Sequence, residues 1–296
     1  RLEVRRSAHT GRPVDPVRLR RPMLLLAPST AIFVALFLVP ISYFLLISFW
    51  RVRAYRLVPD ATFEQYRIVF AEYGGPLLYT FLMAFAIATV TTLVAFAYAY
   101  FCRFKAGRHG VAFLFVAIVT LFGGYLTKIY MWKTILGSSG ILNSAFQMLD
   151  LIEEPITVFL FSPVAVLITL THYTLPLAIL PIYGSLRGIG DVPLEAARDI
   201  GATPRRALLD IVLPQSRIGL LSSFSLTFLF AAGDYVTPLL VGGPHTSMIG
   251  LFIQSQFGHR LNAPLGAAMS FSVIVICLAT IATVGWLLFR LTRPRG

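Results

Sequence analysis

Six stretches of this chain are apolar enough, for long enough, to cross a lipid bilayer, and that constrains the fold more than any other feature. A crossing helix takes ~20 apolar residues. Runs of that kind lie near 23–49, 77–102, 111–132, 159–184, 217–241 and 264–290. Backbone polar groups in hydrocarbon must be satisfied within the segment, so spans of this length read as helices. Composition agrees: of 296 residues 57% are hydrophobic and only 13% charged, against ~25% charged in a soluble domain. The expected fold class is an all-α integral membrane protein. Its organisation is a tail over 1–22, one transmembrane domain over 23–290 and a short tail over 291–296. The third and fourth runs are the least clean, because Lys128 and His172 fall in or near them.

The formal net charge of +12 raises nucleic acid as a partner. The distribution argues against it, since Lys and Arg cluster at the ends of the apolar runs. With the N-terminus inside, eighteen of the 25 basic residues fall in the tail, 103–108, 187–217 and 290–295, and seven fall outside, including Lys128 and Lys133. This bias places both termini in the cytoplasm. The outer loops are then 50–76, 133–158 and 242–263. The second holds Leu136-Gly137-Ser138-Ser139-Gly140 before an apolar stretch, which predicts a short surface helix. The chain begins at Arg1 rather than Met, so N-terminal sequence is expected to be missing, and the first apolar run is too long for a cleaved signal peptide. Cys102 and Cys277 sit at or in apolar runs and read as small buried residues, not a disulfide framework.

Glu195–Pro214, EAARDIGATPRRALLDIVLP, is the longest polar interruption of the C-terminal half. Asp191 can cap a helix with Pro193 in its first turn. Leu194, Ala197 and Ile200 recur at helical spacing. Gly201 suits a left-handed stop. Thr203 and Pro204 start a second helix with Leu208, Ile211 and Val212 as its apolar face, and Pro214 is where the chain is expected to turn. The bias in Lys and Arg puts this helix–Gly–helix stretch on the cytoplasmic side.

Asp234 is the one carboxylate well inside a predicted span. A charge there costs about 2.5–3.5 kcal/mol on insertion scales and should face protein or water. Gly233 and Pro238 loosen the helix around it, and freed carbonyls there can line a cavity. Asp234 with Tyr235 therefore reads as a site or gate for a cationic solute, or as a structural carboxylate bonded to a neighbouring helix or to Lys128. Tyr125, Lys128, Tyr130 and Trp132 suit an aromatic belt with a snorkelling lysine, or a pathway wall. His172 precedes Pro176 and Pro181, which are expected to kink the fourth span. As a lone histidine it reads more simply as a hydrogen-bonded packing residue. No metal-spaced cluster, GxSxG or GxxxxGK[ST] occurs, so an enzyme is disfavoured and any ATP hydrolysis belongs to another chain.

Glu195-Ala196-Ala197, Gly201 four residues on and Ile211-x-Leu213-Pro214 resemble the EAA loop of permease subunits of ABC importers. Leu180-Pro181-Ile182-Tyr183, Gly233-Asp234-Tyr235-Val236-Thr237-Pro238, Leu240-Val241-Gly242-Gly243-Pro244 and Gly140-Ile141-Leu142-Asn143 are similar to the spermidine/putrescine type. Lys128 departs from it, where Arg is expected in many relatives. The resemblance implies a type I importer permease fold with six spans and a cytoplasmic coupling helix. Glu195, Ala196, Ala197, Asp199, Gly201, Ile211, Leu213 and Pro214 would then be the ATPase-coupling set. It implies a second permease, commonly non-identical, a cytoplasmic ATPase dimer that carries ATP and Mg, and an extracytoplasmic substrate-binding protein, in a bacterial inner membrane. The expected solute is a polyamine or related amine, and this chain itself is expected to bind no cofactor. The competing reading is a stand-alone secondary transporter, a class that usually shows repeats and several intramembrane charges. Here Asp234 stands nearly alone.

Overall fold

A computed structural model describes residues 26–54, 56–157, 159–244 and 246–292; the predicted N-terminal tail and most of the C-terminal tail lie outside them. The chain divides into a unit ending at Ile47 and a second from Ser48. In the first unit, α1 (Leu26–Ile47) is a 22-residue apolar helix. It widens into a π-turn at Val34–Leu38, two residues before Pro40. A proline removes one ladder bond and crowds the carbonyl four residues earlier, and a wider turn relieves that crowding.

The second unit opens with an unpredicted hairpin, β1 (Arg51–Arg53) antiparallel to β2 (Arg56–Val58). Arg51 ties the hairpin to the loop and helix after it, contacting Asp60 at 3.2 Å and Glu64 at 2.9 Å. Then come α2 (Glu64–Glu72) and α3 (Gly74–Phe104). The third predicted span is broken. Its halves, α4 (Gly107–Phe122) and the segment Tyr125–Met148, are bent by 98°. Gly123 and Gly124 take extended backbone between them, with ψ of 125° and 141°, where two residues of poor helix propensity follow each other. The second half comprises α5 (Tyr125–Leu136) and α6 (Ile141–Met148), the short helix expected in that loop. Next is α7 (Pro163–Arg187), unbroken through Pro176 and Pro181. The polar stretch gives α8 (Val192–Asp199). The long α9 (Pro204–Gly233) follows, then α10 (Val236–Val241), α11 (Ile249–Gly258) and α12 (Ala263–Leu291). Five of the described helices are long and apolar enough to cross a membrane, and six if the bent pair is one span.

Helices α3, α7 and α9 form the centre. On α3 the fully buried stripe is Ala84, Ala88, Thr91, Ala95 and Ala99, spaced so that all fall on one face. Small residues let helices approach closely where apolar lipid gives little driving force for association. Gly219 of α9 makes the matching contact on α7: a Cβ there would collide with Ser185 Oγ and sit 2.6 Å from the Pro181 carbonyl. Helices α2, α11 and α12 form a smaller packed group around Val69, Ile249 and Met269. Leu77 and Phe81 of α3 join this group, and a polar contact adds to them: the Ile249 N–H donates to the buried Thr80 hydroxyl at 2.7 Å.

Candidate functional site

Helix α8 ends as the sequence predicts. Gly201 has φ +80°. The Ala202 N–H donates to the Ala197 carbonyl and the Gly201 N–H to the Arg198 carbonyl, both at 2.9 Å. These two bonds are a Schellman cap, which needs a left-handed residue at Gly201. Thr203 caps α9, its hydroxyl accepting from the Arg206 N–H at 3.4 Å, with Pro204 in the first turn. Three expectations change. Asp191 occupies the cap position of α8 but makes no side-chain cap; its carboxylate instead accepts from Arg103 at 2.9 Å. That partner lies 88 residues away and Arg103 also donates to the Ile189 carbonyl. Ile200 does not join the buried face. Leu194 and Ala197 are buried, whereas Ile200 is 86% exposed. Pro214 does not redirect the chain, because α9 runs through it, and the π-turn Leu208–Val212 immediately before absorbs the proline.

The stretch thus has two faces. Leu194 packs into a cluster with Ala95 and Ala99 of α3, Ile182 and Leu186 of α7, and Val212 of α9. The opposite side, Val192, Glu195, Ala196, Asp199 and Ile200, is exposed. A cleft of about 290 Å³ between α8 and the start of α9 is lined by Ile200, Gly201, Arg206, Ala207, Asp210 and Ile211. Leu213 and Pro214 lie one turn further on, partly buried. The Arg103–Asp191 contact also brings together two of the segments that the basic-residue bias puts on one side.

A second constellation forms where α9 breaks. Asp234 is 8% exposed, with extended backbone at the end of α9. Its Oδ1 accepts from the Val236 N–H at 3.0 Å and Oδ2 from the Thr237 N–H at 3.3 Å, so the carboxylate satisfies the orphan donors that open α10. Oδ1 also accepts from the Tyr125 hydroxyl at 2.6 Å. The Tyr125 proton being used there, Thr237 is the donor in their 2.8 Å hydroxyl pair. Gly250 of α11 lets that helix pass the break: a Cβ would lie 3.3 Å from the Asp234 carbonyl and 3.1 Å from Tyr235 Cβ.

Around this pair the rings of Tyr125, Tyr173 and Phe230 are mutually packed, with centroids 4.7, 4.9 and 5.9 Å apart. Lys128 Nζ stands 5.2 Å from the Tyr173 ring centroid. The belt reading of Lys128 fails, because the side chain is 5% exposed and does not snorkel. Nor does it bond Asp234: among the described residues its Nζ has no hydrogen-bond partner. His172 packs against Trp132, ring centroids 5.7 Å apart, and its Nδ1 is likewise buried without a partner among the described residues. It is therefore a packing residue, but not the hydrogen-bonded one expected. Of the five predicted pathway residues, Tyr125, Lys128 and Asp234 share this cluster, and His172 stands against Trp132 instead. Tyr235 does not share it either; it is 37% exposed and lines a separate cavity of about 400 Å³ with Gly233, Gly250, Gln254 and Ser270. The sequence reading missed Tyr173, Phe230 and Thr237 as members. Thr237 carried a usable signal, standing three residues after an acidic residue at a helix start.

Five or six apolar helices of membrane-crossing length, one of them broken, around a buried carboxylate define a multi-pass membrane protein. No family model matches the chain. The spermidine/putrescine transport system permease protein PotB of Escherichia coli (strain K12) is 32% identical over 236 residues, 79% of this chain and 85% of that protein. The inner membrane ABC transporter permease protein YdcU of the same strain is 30% identical over 242 residues, 77% of this chain and 76% of that protein. The chain belongs to the family of ABC importer permease subunits of the spermidine/putrescine type. Its fold is the type I importer permease fold. A bacterial ABC transporter involved in the import of the acidic polysaccharide alginate superposes with a TM-score of 0.68, covering 94% of this chain and 99% of that one at 14% identity.

Proposed function

We propose that this chain is one of two transmembrane subunits of a binding-protein-dependent importer, and that it carries a small polyamine or related amine across a bacterial inner membrane. Both termini and α8 face the cytoplasm in this reading. The observation that carries it is the two-faced α8. One face is fixed by Leu194 into the three central helices, and the other presents Val192, Ala196 and Ile200 to solvent. A partner docked on that exposed face can transmit a rigid-body displacement to the spans. The partner is a cytoplasmic ATPase, one of a pair, and Glu195, Ala197, Asp199, Gly201, Ile211, Leu213 and Pro214 complete or support its seat. ATP-driven closure of the pair opens the pathway outward toward a substrate-binding protein, and hydrolysis returns it inward. This chain hydrolyses nothing itself.

The amine rests on the PotB relatives and on the buried Asp234 among aromatic rings. Purification of the tagged chain in mild detergent, followed by mass spectrometry, tests the assembly. Recovery of a Walker-motif ATPase and a second permease in stoichiometric amounts is expected. The chain alone across several detergents would overturn the reading in favour of gradient-driven transport.

A further inference from the structure

Lys128 is the one charge in the Tyr125 cluster that the described residues leave unmet. The polar groups around Asp234 are matched: both carboxylate oxygens accept backbone N–H groups, and Tyr125 and Thr237 bond one another. The ammonium is fully enclosed, with no acceptor in reach and no carboxylate within ion-pair distance among the described residues. What it does have is the face of Tyr173, itself packed on Tyr125 and Phe230. Packed aromatic faces next to a carboxylate are the chemistry that recognises an alkylammonium ion. An anionic ligand would meet the same rings and Asp234, with Lys128 alone attracting it. A lysine side chain is a butylammonium on a tether.

We propose that the Tyr125–Tyr173–Phe230–Asp234 cluster is an ammonium-binding subsite of the translocation pathway, held in this conformation by the chain's own Lys128, whose place the solute's primary ammonium takes when the pathway opens. The proposal rests on the amine reading above and gives it a location. Lys128 shares the first turn of α5 with Tyr125, so a change of the lysine's own rotamer withdraws the ammonium from the Tyr173 face while Tyr125 stays on Asp234. A short tether holds its group at an effective concentration on the order of mM, so Lys128 acts as a competitor of the solute. It also occupies the place beside the Tyr173 ring that another small cation would otherwise take.

The test measures radiolabelled putrescine binding to the assembled transporter in nanodiscs without its binding protein, where affinity reflects the pathway alone. Lys128→Met keeps the side-chain volume and removes the competing charge. It should bind putrescine about tenfold more tightly than wild type, Lys128→Arg should remain near wild type, and Tyr173→Leu added to Lys128→Met should erase the gain. Binding no tighter in Lys128→Met, or lost in it while Lys128→Arg is normal, overturns the proposal, the second result making Lys128 an anion ligand. Putrescine uptake by the complete wild-type system is measured alongside. No uptake there sinks the amine reading itself, whereas normal wild-type uptake with unchanged Lys128→Met binding sinks only the subsite.

Discussion

Replacing Gly201 separates backbone strain from every other cause of lost coupling. A Cβ at this position meets no atom within 4 Å, so a side chain fits and only φ +80° objects. A non-glycine residue in the left-handed region costs about 1–2 kcal/mol, with Asn the most tolerant, and a β-branched residue is the worst fit. Since 1.4 kcal/mol is a factor of about ten, Gly201→Ala should shift the cap about five- to thirtyfold toward unlatched forms. In those forms the two cap bonds to Ala197 and Arg198 are lost and the angle between α8 and α9 is no longer fixed. The assay is binding-protein-stimulated ATPase activity of the purified complex, with membrane insertion scored separately. Insertion should be intact in all variants. Coupling should fall in the order Gly, Asn, Ala, Val through strain; Asp tolerates the left-handed region nearly as well as Asn, so the uncoupling expected of Gly201→Asp is the added effect of its charge. Full coupling in Gly201→Val with loss only in Gly201→Asp would refute the strain account, because it would make charge and not φ the cause.

Other outcomes rest on the same contacts. Ile200→Asp should leave the fold unaffected, since the side chain is 86% exposed, yet weaken ATPase retention during purification about tenfold, the size of an interface anchor. Asp234→Ala removes an acceptor of three hydrogen bonds and should lower stability in detergent by more than about 4 kcal/mol, given ~1.5–3 for a single bond to a charged group. Asp234→Asn should instead assemble and lower uptake, and unchanged uptake would return the residue to a purely structural role. Asn143 is fully buried; it donates to the Gly137 and Ile156 carbonyls and accepts from the Ile156 N–H. Asn143→Asp turns two donors into an anion facing two carbonyls and should lower the melting temperature more than Asn143→Ala does.

What was legible in the sequence was local. The cap at Gly201, the start at Thr203-Pro204 and the short helix after Gly140 depend on neighbours within a few residues, and residue type carries that information. The apolar runs were legible because hydrocarbon imposes a length. The break of the third span at Gly123–Gly124 left a signal, two adjacent glycines behind an apolar run, but hydropathy alone reads across it. The fates of the polar side chains were not legible. Asp191 abandons its cap for Arg103, and Asp234 is met by Tyr125 from 109 residues away; such pairings are decided by packing of distant helices. Ile200 misled because an exposed apolar face and a core face share the same helical period. Tyr235 misled because adjacent residues at a helix break point in different directions, which put its ring on the far side from Asp234.

The central claim is that the exposed face of α8 is where an ATPase pushes. Ala196→Cys, in a chain whose two native cysteines are buried, places a thiol on that face. Phe63→Cys serves as the control, exposed at 74% in the loop before α2. Crosslinking of the copurified complex is predicted to join the ATPase to position 196 and not to 63, with the adduct blocking turnover until it is reduced. No ATPase adduct at 196 from an intact complex, or equal adducts at both positions, would contradict the account.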